Sequence, residues 1–185
     1  MRLFIALDLS EEIRARVAEA VERERARVDA KWARPEKLHL TLVFFGSRPP
    51  EKLGEIVAGA RRVAATQPEL RLGIEGAGTF GPPRRPRVLW LGLTGQVGPL
   101  LALVARLEQE LGVVSDRPEH RPHLTLGRAL RSRGDPLLLE VAGRLERTRF
   151  GEWSVDHLTV YESAGGRYRP LATIPFACPP VEPKA

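Results

Sequence analysis

Several features that often organise small proteins are scarce or missing in this 185-residue chain. There is one cysteine, Cys178, so no disulfide closes within the chain, and a reducing compartment, the cytoplasm, is the expected location. No apolar run approaches the ~20 residues of a membrane-spanning helix, so no membrane partner is expected. The opening MRLFIALDLS carries no signal-peptide cleavage pattern and alternates as a first strand does. There is no P-loop, no serine nucleophile elbow and no dinucleotide-binding glycine pattern; GIEGAG at 73–78 is not followed by a helix start. Lysine is also rare: of 29 basic residues, four are Lys and the rest Arg.

What is present is the composition of a soluble globular protein, 43% apolar and 28% charged, on a chain long enough to bury a core. The net charge is +6 and the pI about 10.2. An excess of guanidinium forks favours phosphate-bearing partners. Genomic base composition or a hot habitat gives the same bias, so the charge permits such a partner without diagnosing one.

The pattern predicts strands over RLFIALDLS, KLHLTLVFFG, ELRLGIEGAGTFG, RPRVLWLGLTG, HLTLGR, WSVDHLTVYES and YRPLATIPF. Four helices are expected between them. The first is capped by Ser10, the second starts at Pro49 and Pro50, the third begins near Gly98 and the fourth near Asp135. The order predicts an α+β fold of two small sheet-and-helix lobes. With no low-complexity linker between them, residues 1–178 are expected to form one domain, followed by a frayed Pro-rich tail at 179–185.

Three of the four histidines sit in the same tripeptide: His39-Leu40-Thr41, His123-Leu124-Thr125 and His157-Leu158-Thr159. On a strand, residues two apart share a face, so His39 and Thr41 point away from Leu38, Leu40 and Leu42, and His123 pairs with Thr125 in the same way. Two imidazoles and two hydroxyls converging on one cleft suit metal-free phosphodiester chemistry. A neutral imidazole accepts a proton from the attacking oxygen, a protonated one donates to the leaving oxygen, and hydroxyls donate to the non-bridging oxygens. Arg128, five residues after His123, is placed to supply a fixed cation. A metal site at His120 and His123 is the rival reading. No cysteine cluster or suitably spaced acidic residue supports it, and Pro122 breaks a shared helical face, so no metal is expected.

The paired motifs, 84 residues apart within RPEKLHLTLVFFG and RPHLTLGR, resemble the 2H phosphoesterase superfamily. The closer likeness is to its bacterial and archaeal RNA 2′,3′-cyclic phosphodiesterases, also called 2′-5′ RNA ligases. It extends to RLFIALDLSEEIR, GTFGPPRRPRVLWLG and LTVYES followed by Gly and Tyr. The resemblance implies a bilobal fold with a pseudo-twofold axis and central cleft. It also implies opening of an RNA 2′,3′-cyclic phosphate to a 2′-phosphate without a cofactor, with 2′-5′ ligation when an RNA 5′-hydroxyl replaces water. His39 would be the general acid and His123 the general base, with the phosphate held by Thr41, Thr125 and Arg128. Phe80 would line the site. No obligate protein partner is implied, and a monomer is the default. A cyclic nucleotide or ADP-ribose cyclic phosphate as substrate, or a non-catalytic RNA-binding module, are the alternatives.

The third motif lies 34 residues after His123 and one helix further on, so it is expected in the lobe of His123 as a coincidence of strand sequence. Phe4 reads as core near the cleft and Trp90 as packed, while Trp32 and Trp153 are candidates for base stacking. Arg84, Arg85 and Arg87 form a basic turn that is either solvated or follows an RNA backbone.

Overall fold

Two residues after the first strand, β1 (Arg2–Asp8), the Ser10 side chain accepts a hydrogen bond from the Ile13 amide, starting helix α1 (Glu11–Arg25). Ile13, Val17, Ala20 and Val21 form the buried stripe of α1 at helical spacing. The computed structural model describes residues 1–113 and 123–177; His120, Cys178 and the Pro-rich tail lie outside them. After α1 come β2 (Lys31–Trp32), β3 (His39–Ser47), α2 (Lys52–Ala64), β4 (Leu70–Phe80), β5 (Val88–Gly95) and α3 (Val97–Leu111). The chain continues through β6 (Leu124–Arg128), α4 (Leu137–Leu145), β7 (Arg149–Val155), β8 (His157–Ala164) and β9 (Arg167–Pro175). Gly112, in the left-handed conformation at φ 60°, closes α3. No helix among the described residues is long and apolar enough to cross a membrane.

The strands form two antiparallel sheets, ordered β3-β1-β8-β9 and β2-β6-β5-β4-β7. Apart from the two-residue β2, the orders correspond. The runs β1-α1-β3-α2 and β5-α3-β6-α4 occupy equivalent places, so each His-x-Thr strand flanks its sheet next to the strand that opens its repeat. Helix α2 packs on β8 and β9 of its own sheet and α4 on β4 and β5 of its own, whereas the other two helices reach across. Helix α1 packs on β7 of the second sheet, and α3 lies against α2 and β3 beside the first.

The fold is α+β as expected, with one consequential departure. WSVDHLTVYES is not one strand: it breaks at Asp156, with β7 joining the second sheet beside β4 and β8 joining the first between β1 and β9. The buried positions change phase across the break, from Trp153 and Val155 to Leu158 and Val160. A single strand cannot bury odd positions and then even ones against one core. The third His-Leu-Thr therefore belongs to the sheet of His39, and the expectation that it shares a lobe with His123 is overturned.

Beside the second sheet, Glu24 on α1 is buried and accepts from Arg144 of α4 at 2.6 Å, with Arg27 at 3.4 Å. The Trp153 indole donates to the Asp8 carbonyl at 3.1 Å, tying β7 to the end of β1.

Candidate active site

The two motif strands meet across the boundary between the sheets, with Cα atoms of β3 and β6 within 8 Å. On β3, Leu40 and Leu42 are buried while His39 and Thr41 are half-buried on the other face. On β6, Leu124 and Leu126 are buried and Thr125 is half-buried, with His123 immediately before the strand.

Strict alternation would send Arg128, five residues after His123, to the buried face. A β-bulge prevents this. Thr125 pairs with Trp90 and Gly127 with Leu89, so Leu126 is the extra residue. Arg128 then pairs with Val88, and because Val88 and Trp90 share a face, Arg128 joins Thr125. It is exposed and has no carboxylate partner among the described residues.

Around His39 the geometry is closely determined. Its Nδ1 lies 2.7 Å from the Lys37 carbonyl oxygen, which can only accept, so Nδ1 carries the proton of the neutral ring. Nε2 is then an acceptor, 2.9 Å from Thr41 Oγ1, and the hydroxyl donates to it. Burial lowers the His39 pKa below its ordinary 6.5, aided by the Arg14 cation; the Lys37 carbonyl and the Asp8 charge oppose the shift. Arg14 also donates to the carbonyls of Pro35 at 3.0 Å and Leu9 at 3.4 Å, fixing the approach to β3.

Aromatic rings line this half of the site. Phe4 is buried, but on the His39 face, with its ring centroid 5.0 Å from the imidazole. Tyr161 stacks on Phe4 at 5.2 Å, and Tyr168 meets His39 edge-on at 5.1 Å and 90°. Tyr168 reaches this face because a bulge in the β8–β9 pairing sets it opposite Ser163. The Lys37 ammonium, donating to the Gly166 carbonyl, lies 5.6 Å from the Tyr168 ring centre.

Asp8 was not singled out from the sequence, although it is the one charge within LFIALDL. It pairs with His39 across β1 and β3. It accepts from the Tyr161 hydroxyl at 2.6 Å and the Thr159 hydroxyl at 2.8 Å, and His157 Nε2 lies 3.5 Å away. The third motif thus supports a carboxylate beside His39, two strands away in the same sheet. The phenol's pKa is raised strongly, first by burial and then by its bond to Asp8.

In the second half, Phe80 stands edge-on to His123 at 4.9 Å and 84°. Trp90 packs on Phe80 at 5.2 Å and lies 6.4 Å from His123, so the indole is packed at the site rather than in the core. Gly78 makes room for it, since a Cβ there would fall 2.3 Å from Trp90 Cζ2. Trp32 and Trp153 have structural partners: their indoles donate to the carbonyls of Val28 and Asp8.

The model of the 2′-5′ RNA ligase superfamily matches residues 9–167. The chain belongs to this superfamily. An RNA 2′,3′-cyclic phosphodiesterase from Archaeoglobus fulgidus is 32% identical over 165 residues, covering 88% of this chain and 91% of its own. The crystal structure of TT0787 of Thermus thermophilus superposes with a TM-score of 0.77 at 28% identity, covering 95% of this chain and 98% of that one. E. coli LigT in apo form gives 0.70 at 30% identity, with 96% and 98% covered. In this member of the superfamily the motif strands are the equivalent flanking strands of two matched sheets, so internal repetition of the fold places one His-Thr pair in each half.

Proposed function

We propose that this chain, acting through one bilobal unit of residues 1–178, opens 2′,3′-cyclic phosphate ends of RNA to 2′-phosphates with His39 and His123 as the acid–base pair. The observation that carries the reading is the meeting of β3 and β6, each bearing a His-x-Thr pair on its half-buried face. The names of the relatives supply the substrate class.

In the proposed reaction His123 accepts a proton from water as the water oxygen bonds to phosphorus. The P–O3′ bond breaks, and His39 donates a proton to O3′, leaving the phosphate on O2′. Protons exchanged with solvent return the pair to its starting state. Neutral in the free site, His39 is brought to the imidazolium form by the negative charge of the bound phosphate. The Nδ1–H bond to the Lys37 carbonyl supports Nε2 as the working nitrogen. Thr41, Thr125 and Arg128 hold the non-bridging oxygens, and Phe80 borders the sugar and base. An RNA 5′-hydroxyl in place of water yields a 2′-5′ linkage by the same transfers, with no nucleotide cofactor. The site is read as metal-independent, the protein as cytoplasmic and in need of no protein partner.

The test is incubation with excess chelator and a short RNA ending in a 2′,3′-cyclic phosphate, with product identified by phosphorus NMR. A 2′-phosphate whose formation falls at least ~10³-fold in both His39→Ala and His123→Ala is expected. A 3′-phosphate would refute the assignment of the leaving oxygen, and no product with RNA binding retained would refute the activity.

A further inference from the structure

We infer that the protein carries a second RNA contact surface, an arginine track on two interlocked loops, which binds the strand leading into the active site. The inference rests on the proposed RNA substrate and adds where, and through which residues, the rest of the chain is held.

The loops are the turn between β4 and β5 (81–87) and the segment after β6 (129–136). They are joined by backbone hydrogen bonds, from Ala129 to the Arg87 carbonyl at 3.0 Å and from Asp135 to the Pro86 carbonyl at 2.9 Å. Gly134, at φ 79°, backs directly onto the loop, since a Cβ there would fall 2.0 Å from the Arg85 carbonyl oxygen. The Arg87 amide returns to the Phe80 carbonyl at 2.8 Å, so the track begins at the ring that stands against His123.

With Arg128 at the end of β6, this surface presents Arg84, Arg85, Arg87, Arg131 and Arg133, all exposed. One carboxylate accompanies these six cations, Asp135, and its Oδ1 accepts from the Leu137 amide at the start of α4. The patch therefore holds nearly all of the chain's net charge of +6. Outside the patch nine arginines among the described residues pair with a glutamate, Arg16, Arg23, Arg62, Arg149 and Arg169 among them, while others such as Arg2 and Arg61 do not. None of the six has an ion pair among the described residues. Like charges held together by paired loops, with acidic residues placed elsewhere, repel one another until a polyanion arrives. A single strand whose terminal phosphate sits at Arg128 would lay its preceding phosphates along this track.

The test compares Arg84→Gln/Arg85→Gln/Arg133→Gln with Arg23→Gln/Arg62→Gln/Arg149→Gln. The second variant loses the same charge from ion-paired sites. Turnover is measured on a ten-nucleotide RNA ending in a 2′,3′-cyclic phosphate and on a 2′,3′-cyclic mononucleotide, and anisotropy reports binding of the same RNA ending in a 2′-phosphate. The track variant is expected to raise KM for the oligomer about tenfold and leave the mononucleotide unchanged. Losing three phosphate contacts lowers the salt slope by about 2, so the affinity gap from wild type shrinks by roughly 16-fold between 50 and 200 mM salt. Equal weakening by the control variant, or oligomer KM and binding both unchanged, would overturn the track. Absence of turnover on either substrate with arginine-dependent binding intact would sink the proposed activity and leave the track standing.

Discussion

Gly78→Ala tests how far His123 depends on the ring packing beside it. A Cβ on Gly78 falls 2.3 Å from Cζ2 of Trp90, 2.6 Å from Cη2 and 2.9 Å from Cε2. Carbon contacts are comfortable at about 3.5–4.0 Å, so the benzo edge of the indole must retreat by roughly 1.2 Å. Trp90 packs on Phe80, and Phe80 on His123, so the displacement reaches the imidazole through two ring contacts. A misplacement of about 1 Å at reacting groups is worth about 100-fold in rate, and sharing along the rings makes about 10–100-fold in kcat/KM the expected loss. Stability should fall by about 1–3 kcal/mol, the usual cost of overpacking. The overlapping atoms all belong to the benzo ring, which phenylalanine lacks. The indole Nε1 is buried without an acceptor among the described residues, so a phenyl ring forfeits no hydrogen bond there. Gly78→Ala/Trp90→Phe should therefore recover most of what Gly78→Ala loses, a coupling that a double-mutant cycle reads directly. The assay is initial rate on the cyclic-phosphate RNA, with urea unfolding in parallel. Activity of Gly78→Ala within twofold of wild type, or a double variant worse than the two singles combined, would refute this chain of contacts.

Four further outcomes follow from the structure. In His123→Ala, residual kcat/KM is expected to fall as pH rises through the free-enzyme pKa of His39, below 6.5; a rate rising with pH would make His39 the base. Asp8→Asn removes a charge that holds the His39 pKa up, so that limb should move to lower pH; an unmoved limb would show that Asp8 acts on folding alone. His39 also binds protons more weakly folded than unfolded, so its stability contribution is complete above about pH 6.5 and is lost as pH falls below it. His39→Gln should flatten that decline in urea unfolding, and identical acid slopes would contradict it. Arg144→Leu leaves buried Glu24 with only the more distant Arg27, at a cost of about 2–3 kcal/mol, because Arg144 is itself partly solvated. A loss under 0.5 kcal/mol would mean that Glu24 is not held as a buried anion.

Much was legible in the sequence because it follows from local pattern. The helices and most strands lie where periodicity put them, Ser10 caps α1, and Leu40, Leu42, Leu124 and Leu126 turn inward and leave His39, Thr41 and Thr125 outward. The phase change between Val155 and Leu158 was also a local signal of the break into β7 and β8. Other features depended on how distant strands pair. The bulge at Leu126 turns Arg128 onto the face of Thr125, and the bulge in β9 brings Tyr168 to His39. The seating of β8 beside β1 makes the third His-Leu-Thr a support for Asp8 rather than an accident near His123. Side-chain direction along one strand is fixed by the two-residue pleat, which a sequence displays. Which sheet a strand joins, and where an extra residue shifts its register, depend on long-range hydrogen bonding and packing, and only the tertiary structure decides them.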